Sequence, residues 1–340
     1  MATRPPPPVL AADPAGIAAA VAALRAGELI GLPTETVYGL AGDALDPATV
    51  ARIFAAKQRP ADNPLIVHVA AAEQLGALVT RVTPLARSLA RAHWPGPLTL
   101  VLDAARRVPS ITRGGLDTVA VRVPDHPVAT TLLAAIDQPL AAPSANPSGR
   151  PSPTRAHHVV AGLGSSVRLV LDGGACPLGV ESTVVDARGA RPVVLRDGFV
   201  TREALGVEAD GAPAPRHRSP GTRYAHYAPR CAVEVVPGPD TLVARVEAAT
   251  AAGERVGVVG TRVAVADALA AQRRTRPGLA DVGLVFHVTV DDEVALAREL
   301  YGAFLAAEEA RVDRLLVLAV PEHGVGRAVM DRLRRAAAAA

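Results

Sequence analysis

Of the 36 basic side chains in this 340-residue chain, 35 are arginine and one, Lys57, is lysine. A composition that has moved so far toward arginine and kept one lysine points to a need for a compact ammonium there. Arginine is a wide planar fork, whereas lysine delivers a point charge on a thin stem. Lys57 lies in the stretch Pro33 to Val69, PTETVYGLAGDALDPATVARIFAAKQRPADNPLIVHV, which also holds Asn63, one of only two asparagines. The other, Asn146, sits in PSANPSGRPSPT, residues 143–154. Further polar segments lie between apolar runs: VAVRVP (119–124), GVEST (179–183) and LRDG (195–198). Lys57, Arg59, Arg122 and Arg196 would supply four cations, close to the charge of a nucleoside triphosphate, and Ser144, Asn146, Ser152 and Ser182 would supply short neutral donors. Taken singly, each has a plainer reading. Asn63 and Asn146 precede proline and shape turns, Thr34 and Thr36 cap, and Arg122 and Arg196 ride on strand ends. The sole lysine and both asparagines falling in these segments favours a site. Because G-x-x-x-x-G-K-[ST], H-E-x-x-H, G-x-S-x-G and the kinase loop set are all absent from the sequence, a nucleotide would bind without a P-loop.

The elements that must position these residues can be read in order. Residues 1–12 carry four consecutive prolines and read as a flexible tail. Asp13 caps a helix with Ile17, Val21 and Leu24 at helical spacing, closed by Gly27. Glu28 to Leu32 is a buried strand. Asp46-Pro47 starts a helix to about Ala56, with Lys57 and Arg59 just past its end. Leu65 to Val69 is a strand, and helices are expected over 71–79 and, capped by Thr83, over 84–93. The turn Trp94-Pro95-Gly96-Pro97 leads into a strand from Leu98 to Leu102. Strands are expected over 118–123, 139–142, 167–171, 182–185 and 193–195, with few helices among them. That order predicts a mixed sheet for residues 13–206. Residues 207–230 are rich in Pro, Gly and Arg and read as a linker, yet Tyr224, His226 and Tyr227 crowd into it although the chain has four tyrosines in all. From 231 to 340 strands and helices alternate, which predicts a smaller Rossmann-like parallel α/β domain, without a G-x-G-x-x-G to mark a dinucleotide site.

Composition narrows the function. A formal charge of +3 makes the protein mildly basic; this suits anionic small molecules or RNA and selects neither. Aromatic content of 3% gives no stacking platform for single-stranded nucleic acid. Cys176 and Cys231 lie far apart in sequence, outside any C-x-x-C pair, which argues against a zinc ribbon or a disulfide framework and for a reducing cytoplasm. With neither a signal-like apolar core nor an apolar run near the roughly 20 residues of a membrane span, the expectation is a soluble, cytoplasmic protein without a membrane partner.

The runs PTETVYGL, Lys57-x-Arg59, RPADNPLIVH and PSAN, with LDGG (171–174), GVESTVVD (179–186) and VLRDG (194–198), closely resemble the L-threonylcarbamoyladenylate synthases of the YrdC family. The likeness covers about residues 13–206, and SPGTRYAHYAP with the C-terminal domain resembles the longer, two-domain branch. The resemblance implies a twisted α/β sheet with a concave basic face. It also implies a nucleotidyltransferase that joins L-threonine, bicarbonate and ATP with Mg²⁺, for a downstream tRNA threonylcarbamoyltransferase. By position it assigns Thr36, His68, Arg122 and Ser182 to threonine. Arg59, Asn63, Thr118, Ser144, Ser152, Arg196 and Tyr224 are assigned to ATP. Lys57, Arg59, Ser144 and Asn146 are placed at the reacting groups, and no protein metal ligands are implied. Gln58 departs from the pattern, since glycine is common between the lysine and the arginine.

The chemistry accounts for these residue types. A carbamate oxygen must approach the α-phosphate while pyrophosphate leaves, so the task is charge screening and alignment away from water. The linker, with its three hydrogen-bonding rings, is expected to close over the nucleotide as a lid. The competing reading is an RNA-binding or ribosome-maturation protein using a basic face, for which direct RNA contact would be the central property. A second is the related domain of hydrogenase-maturation carbamoyltransferases, whose zinc-finger cysteines two isolated cysteines cannot build.

Overall fold

The structure, a computed structural model, describes residues 5–207, 227–267 and 284–338. By its contacts the chain divides into two units, Met1–Ser148 with Ser152–Tyr224, and Gly149–Pro151 with Ala225–Ala340. Tyr224, His226 and most of the linker lie outside the described residues.

In the first unit, helices start where short polar side chains meet proline. Asp13, Asp46 and Thr83 cap α1 (Pro14–Arg25), α2 (Pro47–Lys57) and α3 (Pro84–His93), each accepting from the backbone of the first turn. Such a cap is worth about 1 kcal/mol. The ten strands run β1 (Val9–Ala11), β2 (Ile30–Leu32), β3 (Gly39–Asp43), β4 (Ile66–His68), β5 (Leu98–Asp103), β6 (Thr118–Arg122), β7 (Leu140–Ala141), β8 (Leu169–Asp172), β9 (Thr183–Asp186) and β10 (Val193–Arg196). They form one mixed sheet in the order β1-β8-β2-β3-β7-β4-β6-β5-β9-β10.

Several expectations need correction. Residues 9–11 are not tail but a strand, β1, parallel to β8. The helix expected over 71–79 is a 3-10 turn, Ala72–Ala77. Lys57 is the last residue of α2 rather than just beyond it. Also not expected were β3, α4 (Pro127–Ile136), α5 (Ala156–Leu163) and the 3-10 turn Gly164–Ser166. β3 reads GLAGD, and glycine is depleted from strands. It is needed at Gly42 because a Cβ there would fall 2.7 Å from Thr49 and 2.8 Å from Leu29. α4 is capped by His126, an unusual N-cap, and α5 follows Arg155 with no side-chain cap.

The period of two along the central strands separates a core from a second face. Val67, Leu98, Leu100, Leu102, Val119, Val121 and Val185 join the large cluster with Ile53, Phe54, Ala86 and Leu89 of α2 and α3. The alternate residues Ile66, Val101, Ala120, Val184 and Leu195 form a small separate apolar floor. The same alternation places His68, two residues after Ile66, and Thr118 and Arg122, two either side of Ala120, on the floor's face.

In the second unit, β11 (Ala232–Val236), β14 (Arg314–Leu318), β12 (Val256–Thr261) and β13 (Leu284–Val290) pair in that order, all parallel. They alternate with α6 (Pro239–Ala251), α7 (Glu293–Glu309) and α8 (Gly326–Ala337) as expected. After β12, residues 262–267 are helical, and 268–283 lie outside the described residues. Gly149–Pro151 belongs here because Arg150 donates to the Ala228 carbonyl at 3.1 Å and pairs with Glu308. Tyr227, expected among the rings of the lid, is instead buried in this unit. It stacks on Tyr301 with centroids 5.3 Å apart, and Arg332 lies over its ring.

Candidate active site

The loop between β2 and β3 is folded by its own threonines. Thr34 Oγ1 donates to Val37 O at 2.6 Å and accepts from the Thr36 and Val37 amides at 3.2 Å. Around it the chain is knitted by backbone bonds: Tyr38 N to Pro153 O, Ala145 N to Tyr38 O, Leu40 N to Pro143 O and Leu178 N to Glu35 O. PTETVYGL, PSAN and the approach to GVEST are thereby brought to one place, although over a hundred residues separate the first from the other two in sequence.

His68 and Arg122 end the parallel strands β4 and β6 and are register partners. Arg122 is buried and held on three sides. Nη1 donates to Thr36 Oγ1 at 2.9 Å, Nε donates to Gly96 O at 3.1 Å, and Nη2 lies 2.6 Å from Glu35 Oε1. The Glu35 contact is an ion pair without hydrogen-bond alignment, so Arg122 Nη2 and both Glu35 oxygens are buried with no hydrogen bond. His68 Nδ1 is likewise buried and unbonded. Burial first, and the Arg122 charge second, push the His68 pKa down to about 3, so the ring is neutral. Ser182 Oγ shares a hydrogen bond with Thr99 Oγ1 at 2.7 Å, and Arg196 donates to Ser182 O at 2.9 Å.

Lys57 is fully enclosed. Its Nζ donates to the carbonyls of Ser144 and Asn146, and its own carbonyl accepts from Ser148 N at 2.8 Å. The ammonium therefore fastens the PSAN loop to the end of α2, a correction to the expectation of a charge aimed straight at phosphates. Burial, then the Arg59 charge, hold its pKa well below the usual lysine value. Gln58 follows in the left-handed region, φ +50°, as the C-cap of α2. Glycine suits that conformation, which explains the departure noted in the sequence. Arg59 turns back to Asn63, donating to Oδ1 at 2.7 Å, and to Pro64 O at 2.9 Å. Ser152 Oγ donates to Glu181 Oε1 at 2.7 Å, and Thr118 starts β6, buried. Tyr224 lies outside the described residues.

Two buried carboxylates, Glu35 and Glu181, escaped the sequence reading, so the face is not uniformly basic. The signal was present in both cases: an acid adjoining hydroxyl residues, TET and EST, in segments already singled out. Hydroxyls, two arginines, a neutral histidine and two carboxylates, all out of water, can bind a small zwitterion and an anion side by side.

Two family models match the chain. The one described as "Telomere recombination" covers residues 22–198, and the one described as "Threonylcarbamoyl-AMP synthase, C-terminal domain" covers residues 194–338. Fold and site thus define a YrdC-type α/β domain followed by a Sua5-type C-terminal domain. The threonylcarbamoyl-AMP synthase of Pyrococcus abyssi is 42% identical over 334 residues, 92% of this chain and 91% of the relative. That of Bacillus subtilis is 38% identical over 333 residues, 94% of this chain and 92% of the relative. The crystal structure of P. abyssi Sua5 complexed with L-threonine matches with a TM-score of 0.84 at 41% identity, covering 95% of this chain and 94% of that one. The chain belongs to the threonylcarbamoyl-AMP synthase family, enzymes of tRNA threonylcarbamoyladenosine synthesis.

Proposed function

We propose that the protein condenses L-threonine, bicarbonate and ATP to L-threonylcarbamoyladenylate and pyrophosphate. The product would be passed to a tRNA threonylcarbamoyltransferase that modifies position 37 of tRNAs reading ANN codons, in the cytoplasm. The observation that carries this reading is the group of buried polar atoms around Arg122, which offers one cationic donor and several acceptors within a water-poor wall.

In this reading Arg122 grips the threonine carboxylate, with Thr36 and Ser182 beside it. A neutral His68 is a poor proton store and a good acceptor, so it takes the hydrogen bond of the threonine hydroxyl at Nδ1. Arg59, Asn63, Thr118, Ser144, Ser152, Arg196 and Tyr224 hold ATP. Lys57 serves the transfer by fixing the Ser144–Asn146 loop, as a positioning cation. Among the described residues no group of three or more His, Cys, Asp and Glu is placed to hold a metal ion. Mg²⁺ would therefore enter on the phosphate oxygens, where it would screen their charge.

The test is pyrophosphate release with ATP, threonine and bicarbonate omitted in turn. Release requiring all three is expected, with serine a poorer substrate by about 1–3 kcal/mol through its missing methyl. Threonine-independent release, or none beside salt-sensitive RNA binding, overturns the reading.

A further inference from the structure

A charged side chain buried without aligned hydrogen bonds is costly, and its persistence asks for a partner that arrives later. Glu35 is 4% exposed, and neither carboxylate oxygen has a hydrogen bond among the described residues. Three charged or titratable groups face it: Arg122 at the end of β6, His126 at the start of α4 and Cys176 after β8. His126 and the Cys176 thiol offer it little. The His126 ring caps α4 through Nδ1 and is held below its usual pKa by burial, and burial pushes the thiol up to about 12. Arg122 Nη2 lies 2.6 Å from Glu35 Oε1 as an ion pair without hydrogen-bond alignment, so the two charges compensate each other while Oε2 has no hydrogen bond. The pair is short of an aligned acceptor on the Arg122 side and of donors on the Glu35 side. A zwitterion supplies both at once, a carboxylate for Arg122 and an ammonium, with three N–H donors, for Glu35.

We propose that Glu35 receives the α-ammonium group of the amino-acid substrate and takes one of its protons. This rests on the threonine reading above and deepens it. An N–H bond breaks, an O–H bond forms on the Glu35 carboxylate, and nitrogen keeps the electron pair. The free amine then bonds to the carbon of bicarbonate with loss of water, and Glu35 returns its proton to solvent after turnover. His68 is neutral and placed for the hydroxyl, which leaves the amine to Glu35.

The test uses the full chain with Glu35→Gln, which keeps the shape and loses the proton acceptor. Turnover is expected to fall about a hundredfold or more at neutral pH, and to recover as pH rises toward the pKa of the free amine. Wild-type turnover should lack that steep alkaline rise. Binding by calorimetry gives a readout independent of turnover. Wild type should prefer L-threonine to 2,3-dihydroxybutanoate, in which a hydroxyl replaces the ammonium, and the variant should lose that preference. Glu35→Asp, a second variant in case the amide impairs folding, should keep the preference and lose less turnover. Turnover within threefold of wild type with an unchanged pH profile overturns the assignment. So does normal turnover at saturating threonine with only KM raised, which would leave Glu35 as a support for Arg122. If wild type prefers threonine but releases no pyrophosphate, the synthase reading fails while the ammonium site stands.

Discussion

Acid should loosen the first unit through His68, and the size of the effect follows from its enclosure. The ring is 2% exposed, its Nδ1 has no hydrogen bond, and its pKa is lowered from 6.5 to about 3 by burial and then by Arg122. The unfolded chain takes up a proton near pH 6.5 that the folded chain refuses until about pH 3. Stability from this group is thus fully present above 6.5 and is lost as pH falls toward 3, at about 1.4 kcal/mol per pH unit. From pH 7 to pH 5 that is about 2 kcal/mol. His158, lowered to about 4, and His93 and His126, also lowered, add slope of the same sign. Only the difference between wild type and His68→Gln isolates His68. The variant pays a constant cost for its buried amide but should lose about 2 kcal/mol less between pH 7 and pH 5, read by urea denaturation at both values. Parallel losses in the two proteins would show that the unfolded and folded states bind a proton at His68 alike, and would refute the neutral ring on which the hydroxyl assignment rests.

Three further substitutions test other parts of the site. Lys57→Arg must fit a guanidinium where an enclosed ammonium reaches two carbonyls, so turnover should fall about ten- to a hundredfold and Tm should drop; full activity would show that the compact shape is not needed. Gln58→Gly relieves a left-handed residue and should stabilise by roughly 0.5–1 kcal/mol, net of the added freedom of the unfolded chain, raising Tm by up to about 4 °C in calorimetry; a lower Tm would count against strain at the α2 cap. Gly198→Ala would put a Cβ 2.4 Å from Thr183 N and 2.5 Å from Glu181 O, so it should move Ser182 and Arg196 and raise KM for threonine and ATP, while unchanged kinetics would show that this approach of backbones is not needed.

How much of this was legible in the sequence depends on the range of the interaction. Helices α1, α2 and α3 were readable because each begins with its own capping side chain followed by proline, a signal contained in a few residues. β3 was not, because what makes GLAGD a strand is the crowding of Gly42 by Leu29 and Thr49, which come together only in the fold. Tyr227 shows the same limit. Its sequence neighbours suggested a lid, and its partners Tyr301 and Arg332, far along the chain, place it in the second unit.

The case of Lys57 separates two kinds of inference. A lone lysine among arginines marks an enclosed place, where Nζ reaches two carbonyls on a thin stem. The partner could not be guessed from charge, because it is not a charge. Two backbone carbonyls, 87 and 89 positions away, accept its protons, and no side-chain pattern records them. The acids were hidden for the opposite reason. Their segments stand out by their cations, yet a buried arginine without a counter-charge is expensive, so Arg122 itself calls for a carboxylate nearby. The glutamate between Thr34 and Thr36 is the natural candidate, for it lies in a loop tied to Arg122 through Thr36 and is itself buried.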